Sequence, residues 1–328
     1  MPRRIVVLGT GGTIAGTAAS QADHVGYTAG QLGVDHLLAA LPELAAQPLQ
    51  VEQLAQLDSK DMDFATWRRL TERVQQLADD EEVAGVVITH GTDTLEETAY
   101  LLHRVLKLAK PVVLTAAMRP ASSRSPDGPQ NLLDAVMVAG SSGVTGVLVV
   151  VNGAVHRGDR VRKTSSYRVD AFASEGGPIA WVENGALRQL APWPQAEALG
   201  LARLQAPSWP RVELLWNAAG VDGAVVPLLQ QLARQEGRRL GLVVAGTGNG
   251  TLSQALEKAL AQAMEEGVAV LRCTRCASGP VIGGALPSAG PLSAPQARGG
   301  RRGQLGDPRT RKDPGERDRE NGPGRGGG

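Results

Sequence analysis

Apolar positions along the chain follow two alternating rhythms. Short runs rich in Val, Ile and Leu occupy residues 5–8, 51–57, 86–88, 112–114 and 147–151, and runs of that length and composition predict buried strands. Between most of them the apolar spacing lengthens to three and four. Over residues 63–79, Phe64, Trp67, Leu70, Val74 and Leu77 recur at that interval and predict one buried helical face. Residues 95–107 predict another helix, opened by Thr94 with Glu97 three positions on. That pairing is the pattern of a capping box, which satisfies orphan amides at a helix start. Strand and helix in alternation predict an α/β fold: a mostly parallel sheet with helices on both faces.

The pattern is interrupted over residues 190–211, LAPWPQAEALGLARLQAPSWPR, whose four prolines break regular structure and predict a linker. This makes residues 1–189 a larger N-terminal α/β domain. A smaller α/β domain follows over 212–298, with strands at 212–216, 240–245 and 268–272 and helices near 228–235 and 252–265. From 298 to 328 there are ten glycines, and Leu305 is the sole aliphatic side chain. Such a composition builds no core, so 299–328 is expected to be a disordered tail.

Charge and composition narrow the function classes. The 328 residues carry a net +1, of which residues 298–328 contribute nine basic and five acidic side chains, or +4. The remainder is −3 and offers no broad basic surface for nucleic acid. No apolar run approaches the roughly 18 residues of a membrane span. The N-terminal MPRRIVVLGTGG lacks the apolar stretch and cleavage site of a secretory signal, which makes the cytoplasm the expected location. Cys273 and Cys276 form a lone CTRC with no second ligand pair, so they read as incidental thiols at a strand end rather than a zinc site.

In parallel sheets ligands gather at the carboxyl ends of strands, where loops and helix N-termini converge. Here those ends read LGTGGTIAG, LDSKDMD, ITHGTDTLEE and LTAAMRP. Three of the four supply Thr, Ser or Asp to one edge. The first suggests a dinucleotide loop, but its third glycine is replaced by Ile14 and no acidic residue ends a strand about 20 positions on. TGNGTL at 247–252 lacks the Lys-Ser or Lys-Thr of a Walker loop. Neither G-x-S-x-G nor H-E-x-x-H occurs, and the five histidines are scattered. His90 reads as a strand-end residue with a satisfied ring rather than a base. What remains is a nucleophilic site built on hydroxyls at Thr10 or Thr13. A threonine needs a neighbour to take its proton. Thr92, Asp93 and Lys163 are candidates, with Lys163 accepting the proton if its surroundings lower its pKa enough. Tyr27 is another donor and acceptor, beyond a stretch of small and polar residues at 17–26 that suits a lid. The plain alternatives are that Thr92 or Asp93 caps the following helix and that Lys163 is a solvated charge.

Taken together, TGGTIAG at 10–16 and HGTDTLEETAYLL at 90–102 resemble the two signatures of the bacterial L-asparaginase family. GYTAG, LDSKDM, PVVLTAAMRP, DGPQNL, KTSSYRVDAF and GTGNGTL follow in order, so the resemblance spans about residues 3–298. It implies hydrolysis of the side-chain amide of asparagine to aspartate and ammonia through an acyl-enzyme. In that scheme Thr13 attacks, Tyr27 assists, and Thr92, Asp93 and Lys163 form the second cluster. Ser59 and Asp93 would hold the substrate's charged groups, with Gly12, Lys60, Gly91 and Thr92 lining the site. No metal or organic cofactor is implied. A homotetramer or dimer is, with Asn249 reaching a neighbouring subunit's site.

Two departures stand out. Lys60 occupies a place where many relatives carry a neutral residue, and no acidic residue lies between Glu266 and Asp307 to be lent to a neighbouring site. Beyond Arg298 the chain turns to GGRRGQLGDPRTRKD where the family's last helix should continue, as a change of reading frame near codon 298 would produce. Two other classes share the resemblance: a non-catalytic amino-acid-binding relative, and the asparaginase-like subunit of a tRNA amidotransferase.

Overall fold

The computed structural model describes residues 3–23 and 26–282 of the chain. The expectations for 299–328 and for the reading frame lie outside the described residues. Two compact units part between Pro207 and Ser208.

In the first unit, β1 (Arg4–Gly11), α1 (Val34–Ala39), β2 (Leu49–Leu57), α2 (Phe64–Asp79), β3 (Val83–Thr89), α3 (Leu95–Val105), β4 (Pro111–Thr115), α4 (Gly128–Gly140) and β5 (Gly146–Val151) alternate. Five short strands follow: β6 (Ala154–Arg157), β7 (Val161–Lys163), β8 (Phe172–Ser174), β9 (Ala180–Glu183) and β10 (Ala186–Gln189). The main sheet runs in the order β10-β9-β6-β5-β4-β3-β1-β2. β2, β1, β3, β4 and β5 pair in parallel, whereas β6, β9 and β10 are added antiparallel. The sheet is therefore mostly parallel, as expected. β3, β4 and β5 are buried almost throughout, which explains their unbroken apolar runs, since a strand covered on both faces has no polar side to alternate with.

The antiparallel part escapes hydrophobic periodicity because its strands are short and mixed in polarity. A different signal marks it. Asn152-Gly153 and Asn184-Gly185 each turn with both residues at positive φ, joining β5 to β6 and β9 to β10 as two-residue hairpins. Asn-Gly meets that backbone demand with little strain.

Two local expectations are corrected. The α2 stripe buries Leu70, Val74 and Leu77, but Phe64 at the first helical position is 44% exposed and its ring packs on Trp67. The start of that helix is fixed by Asp63, whose carboxylate accepts the Thr66 N–H at 2.7 Å. The capping box at α3 does not form. Thr94 makes no capping bond, since its hydroxyl donates to the Ser59 carbonyl oxygen at 2.8 Å.

The Pro-rich segment is held to the first unit near its middle, where Leu199 and Gly200 donate to the carbonyl oxygens of Arg104 and Val105 and Leu204 is buried. In the second unit, β11 (Arg211–Trp216), α5 (Val225–Gln235), β12 (Leu240–Gly246), α6 (Gln254–Glu265) and β13 (Ala269–Thr274) form a three-stranded parallel sheet with β12 central. Val226, Leu242, Val244, Leu256 and Leu260 make its core. Val212, Leu214 and Trp216 alternate outward from β11 and are exposed. Cys273 and Cys276 are free, exposed thiols at the end of β13.

Candidate active site

Sheet order decides where a crevice opens. From β1 the chain moves to β2 on one side, then crosses back to β3, β4 and β5 on the other. At such a reversal the two outgoing connections diverge and leave a cleft at the carboxyl ends of the flanking strands. Those strands are β1 and β3, and they end in GTGGT and THGTD.

Glycine lets the two ends meet. Gly11 and Gly12 have φ of 105° and 85°, and a Cβ on Gly12 would lie 2.3 Å from the Cα of Gly91. A Cβ on Gly91 would in turn lie 2.5 Å from Ser59 Oγ. Any larger residue at either position would force the strand ends apart. The loops after β1, β2 and β3 thus converge at Gly12, Ser59 and Gly91.

The two hydroxyls of the first loop have different fates. Thr10 Oγ1 donates to the Thr89 carbonyl oxygen at 2.8 Å and ties β1 to β3. Thr13, also buried, sits in a single 3-10 turn (Thr13–Ala15), and its Oγ1 lies 2.6 Å from the Tyr27 hydroxyl. Tyr27 is returned to this position by the backbone pairing of Thr17 with Thr28. Gly16 leaves room for the ring, since a Cβ there would lie 2.9 Å from Tyr27 Cδ2. Of the lid stretch at 17–26, His24 and Val25 lie outside the described residues.

A second cluster forms on the β3 side. Lys163 Nζ donates to Thr92 Oγ1 at 2.8 Å and to Asp93 Oδ1 at 2.7 Å. Thr92 and Asp93 therefore engage the lysine rather than cap α3, and the lysine side chain is only 19% exposed. Ser59 Oγ accepts the Asp93 N–H at 3.2 Å. Glu96, absent from the sequence expectations, takes part as well: its Oε2 accepts the Lys163 backbone N–H at 2.5 Å. No pattern in the sequence links two residues 67 positions apart. Before Lys163 in the chain, Arg157 clamps Asp159 through two 2.9 Å bonds in the turn between β6 and β7.

The remaining expected residues are placed otherwise. Lys60 bonds Asp61 at 2.5 Å and Asp58 at 3.5 Å, and its amine reaches neither cluster. The hydrogen bond to Asp61 raises its pKa. Asn249 belongs to the second unit, where Nδ2 donates to the Ile282 carbonyl oxygen at 3.0 Å and Oδ1 accepts the Ile282 N–H at 2.7 Å. His90 is fully buried, and desolvation lowers its pKa to about 4. Among the described residues, no three His, Cys, Asp or Glu side chains group as a metal site requires, and no helix is long and apolar enough to cross a membrane.

Fold and site together define a two-domain α/β protein that presents paired hydroxyls, one amine and one carboxylate at a topological switch point. Two family models match it: "Asparaginase, N-terminal" over residues 4–194 and "Glutaminase/Asparaginase C-terminal domain" over 211–298. The chain belongs to the asparaginase family. It is 38% identical over 287 residues to L-asparaginase 2 of Bacillus subtilis, covering 84% of this chain and 74% of the relative. It is 36% identical over 286 residues to glutaminase-asparaginase of Pseudomonas fluorescens biotype A, covering 84% and 76%. A crystal structure titled probable cytoplasmic L-asparaginase from Campylobacter jejuni matches with a TM-score of 0.79 at 35% identity, covering 85% of this chain and 86% of that one.

Proposed function

We propose that this chain hydrolyses the side-chain amide of L-asparagine to L-aspartate and ammonia. The observation that carries the reading is the pairing of Thr13 with Tyr27 at 2.6 Å in the same crevice as Lys163 bonded to both Thr92 and Asp93. An alcohol becomes a nucleophile when a neighbour removes its proton, and each threonine here has a partner within proton-transfer distance.

In the proposed reaction Thr13 Oγ1 attacks the amide carbon while its proton passes to the Tyr27 oxygen and the Tyr27 hydroxyl's own proton moves on to the amide nitrogen. The carbon–nitrogen bond then breaks, and the nitrogen, carrying that proton, leaves as ammonia. Water, oriented by Thr92 and Lys163, attacks the resulting ester. The carboxylate product leaves, and the Thr13 hydroxyl is restored. Asp93 and Ser59 hold the substrate's ammonium and carboxylate. The names of the relatives support this substrate: Bacillus subtilis and Escherichia coli carry proteins called L-asparaginase 2, and the Pseudomonas relatives are called glutaminase-asparaginase.

We propose further that the chain works in the cytoplasm, which the name of the Campylobacter protein, probable cytoplasmic L-asparaginase, supports, and as a homo-oligomer. Asn249 can serve a neighbouring copy because its bonds to Ile282 leave one N–H and one lone pair of the amide unused. Ammonia release measured on the purified chain with asparagine, glutamine and buffer alone tests the activity. Turnover of asparagine is the expected result; binding of asparagine without ammonia would instead show an amino-acid sensor and overturn the proposal.

A further inference from the structure

His90 is a buried ionisable group that the proposed reaction does not use, and its hydrogen bonds run in one direction. It follows β3 with no solvent exposure, and its backbone N–H donates to Thr115. The ring Nδ1 lies 2.7 Å from the Gly91 carbonyl oxygen. A carbonyl only accepts, so Nδ1 carries the proton. The neutral ring then presents a lone pair at Nε2, 2.9 Å from Thr98 Oγ1, and the Thr98 hydroxyl donates to it. That oxygen accepts from Trp67 Nε1 at 2.8 Å, and an indole only donates. Three links therefore pass from α2 through α3 to the peptide before Thr92. Burial keeps the ring neutral, holding its pKa at about 4.

The receiving peptide is confined on its other side by Gly12 and Ser59. In a trans peptide the carbonyl and the following N–H point in opposite directions. Anchoring the Gly91 oxygen on the ring turns the Thr92 N–H away from the ring, and among the described residues no group accepts from it. The same anchor sets the Cα of Thr92, whose hydroxyl meets Lys163.

We infer that His90 is a positioning residue: as the Nδ1–H tautomer it locks the Gly91–Thr92 peptide, holding the Thr92 N–H and hydroxyl toward the substrate amide. The inference rests on the asparagine reading and deepens it. No proton travels between the ring and the substrate.

The test uses the full chain and has two readouts. A two-bond proton–nitrogen correlation spectrum of 15N-labelled protein, with the His90 signal assigned by its loss in His90→Gln, should show the Nδ1–H tautomer at about pH 7. An Nε2–H or doubly protonated ring overturns the proposal. The second readout is kinetic. His90→Asn places an amide N–H near the Nδ1 position, whereas His90→Gln places it near Nε2. We expect His90→Gln to lower kcat roughly 100-fold, as a displacement of about 1 Å in a positioned group does. KM and the shape of the pH profile should stay unchanged, and His90→Asn should restore most of the rate. Equal losses in both variants, losses that track the folded fraction seen by circular dichroism, or a vanished acid limb in His90→Gln each overturn it. Should His90→Gln not fold, Thr98→Val removes the donor to Nε2 while keeping the side-chain shape; a ring that then moves to the Nε2–H form should lose rate, and that move with unchanged kcat overturns the lock. A folded wild type that releases no ammonia from asparagine overturns the asparagine reading and the kinetic claim with it, while the spectrum still decides whether the lock exists.

Discussion

The two hydroxyl clusters of the crevice are built on different kinds of support. Thr13 meets Tyr27 across a loop whose described residues are paired at Thr17 and Thr28 and tied back where Gly30 donates to the Gly12 carbonyl oxygen and Gln31 and Leu32 donate to that of Ala15, and the pair itself consists of two hydroxyls. Thr92 stands between a buried strand and a helix, with Lys163, Asp93, Glu96, Ser59 and the His90 ring all bonded around it. A pair carried by a loop can be assembled and released with substrate, whereas a network whose members share partners holds its geometry without one. On this difference we propose that the loop-borne pair carries the attacking step and the interbonded cluster handles protons and water.

Four measurements break or sharpen this division, the largest effect first. Thr13→Ala removes the attacking oxygen and should lower ammonia release from asparagine by roughly 10⁴-fold or more while leaving the circular dichroism spectrum unchanged. Appreciable residual turnover would transfer the nucleophile to the Thr92 cluster. Lys163→Met keeps the length of the chain but deletes the amine, and should cost roughly 10³-fold in kcat, within the usual range for a positioned proton-transfer group. Pre-steady-state kinetics should place the loss in breakdown of the acyl-enzyme. A loss confined to its formation would contradict the assignment.

Tyr27→Phe keeps the ring over Gly16 and removes the hydroxyl alone. A fall of roughly 10²-fold, visible in the ammonia burst, is expected; an unchanged burst would mean that Thr13 passes its proton elsewhere. The smallest effect concerns acid. His90 and His156 both have folded pKa values of about 4, lowered by burial from 6.5. The unfolded chain therefore takes up protons first, so stability is complete above about pH 6.5 and is lost as the pH falls toward 4. Each histidine contributes at most about 1.4 kcal/mol per pH unit in that window. Both lie on the Thr92 side: His90 beside Gly91, and His156 on β6 bonded to Ser174 of β8, the strand paired with the one that carries Lys163. Denaturant melts from pH 7 to 4.5 should show a shallower acid slope for His90→Gln than for wild type. Identical slopes would remove His90 from the account.

Much of the fold was legible because the physics that sets it is local. The runs at 86–88, 112–114 and 147–151 lie within β3, β4 and β5, and the three-and-four spacing over 63–79 matches α2 apart from the exposed Phe64. The antiparallel extension was missed, because its signal lies in the Asn-Gly turns rather than in the apolar pattern. The sequence places the hydroxyls at strand ends of one edge but does not say which partner each one meets. Thr10 and Thr13 are three positions apart and chemically alike, and only the approach of the Thr89 carbonyl to one and the Tyr27 hydroxyl to the other separates them. Thr94 carries a sound capping pattern, yet its hydroxyl is taken by Ser59, which arrives from another loop. Lys60 and Asn249 carry the right chemistry for substrate, yet in the structure each bonds its own surroundings.

By itself the sequence determined the alternation of elements, the glycines that permit close approach, and the set of side chains gathered at the carboxyl edge. These follow from backbone sterics and from the period at which apolar groups recur, both of which act over a few residues. Only the tertiary structure decided which hydroxyl pairs with Tyr27, that Glu96 holds the strand of Lys163, and which nitrogen of His90 carries its proton. A hydrogen bond is settled within about 3 Å by whichever partner the packing of distant elements delivers, and the order of residues along the chain does not encode that distance.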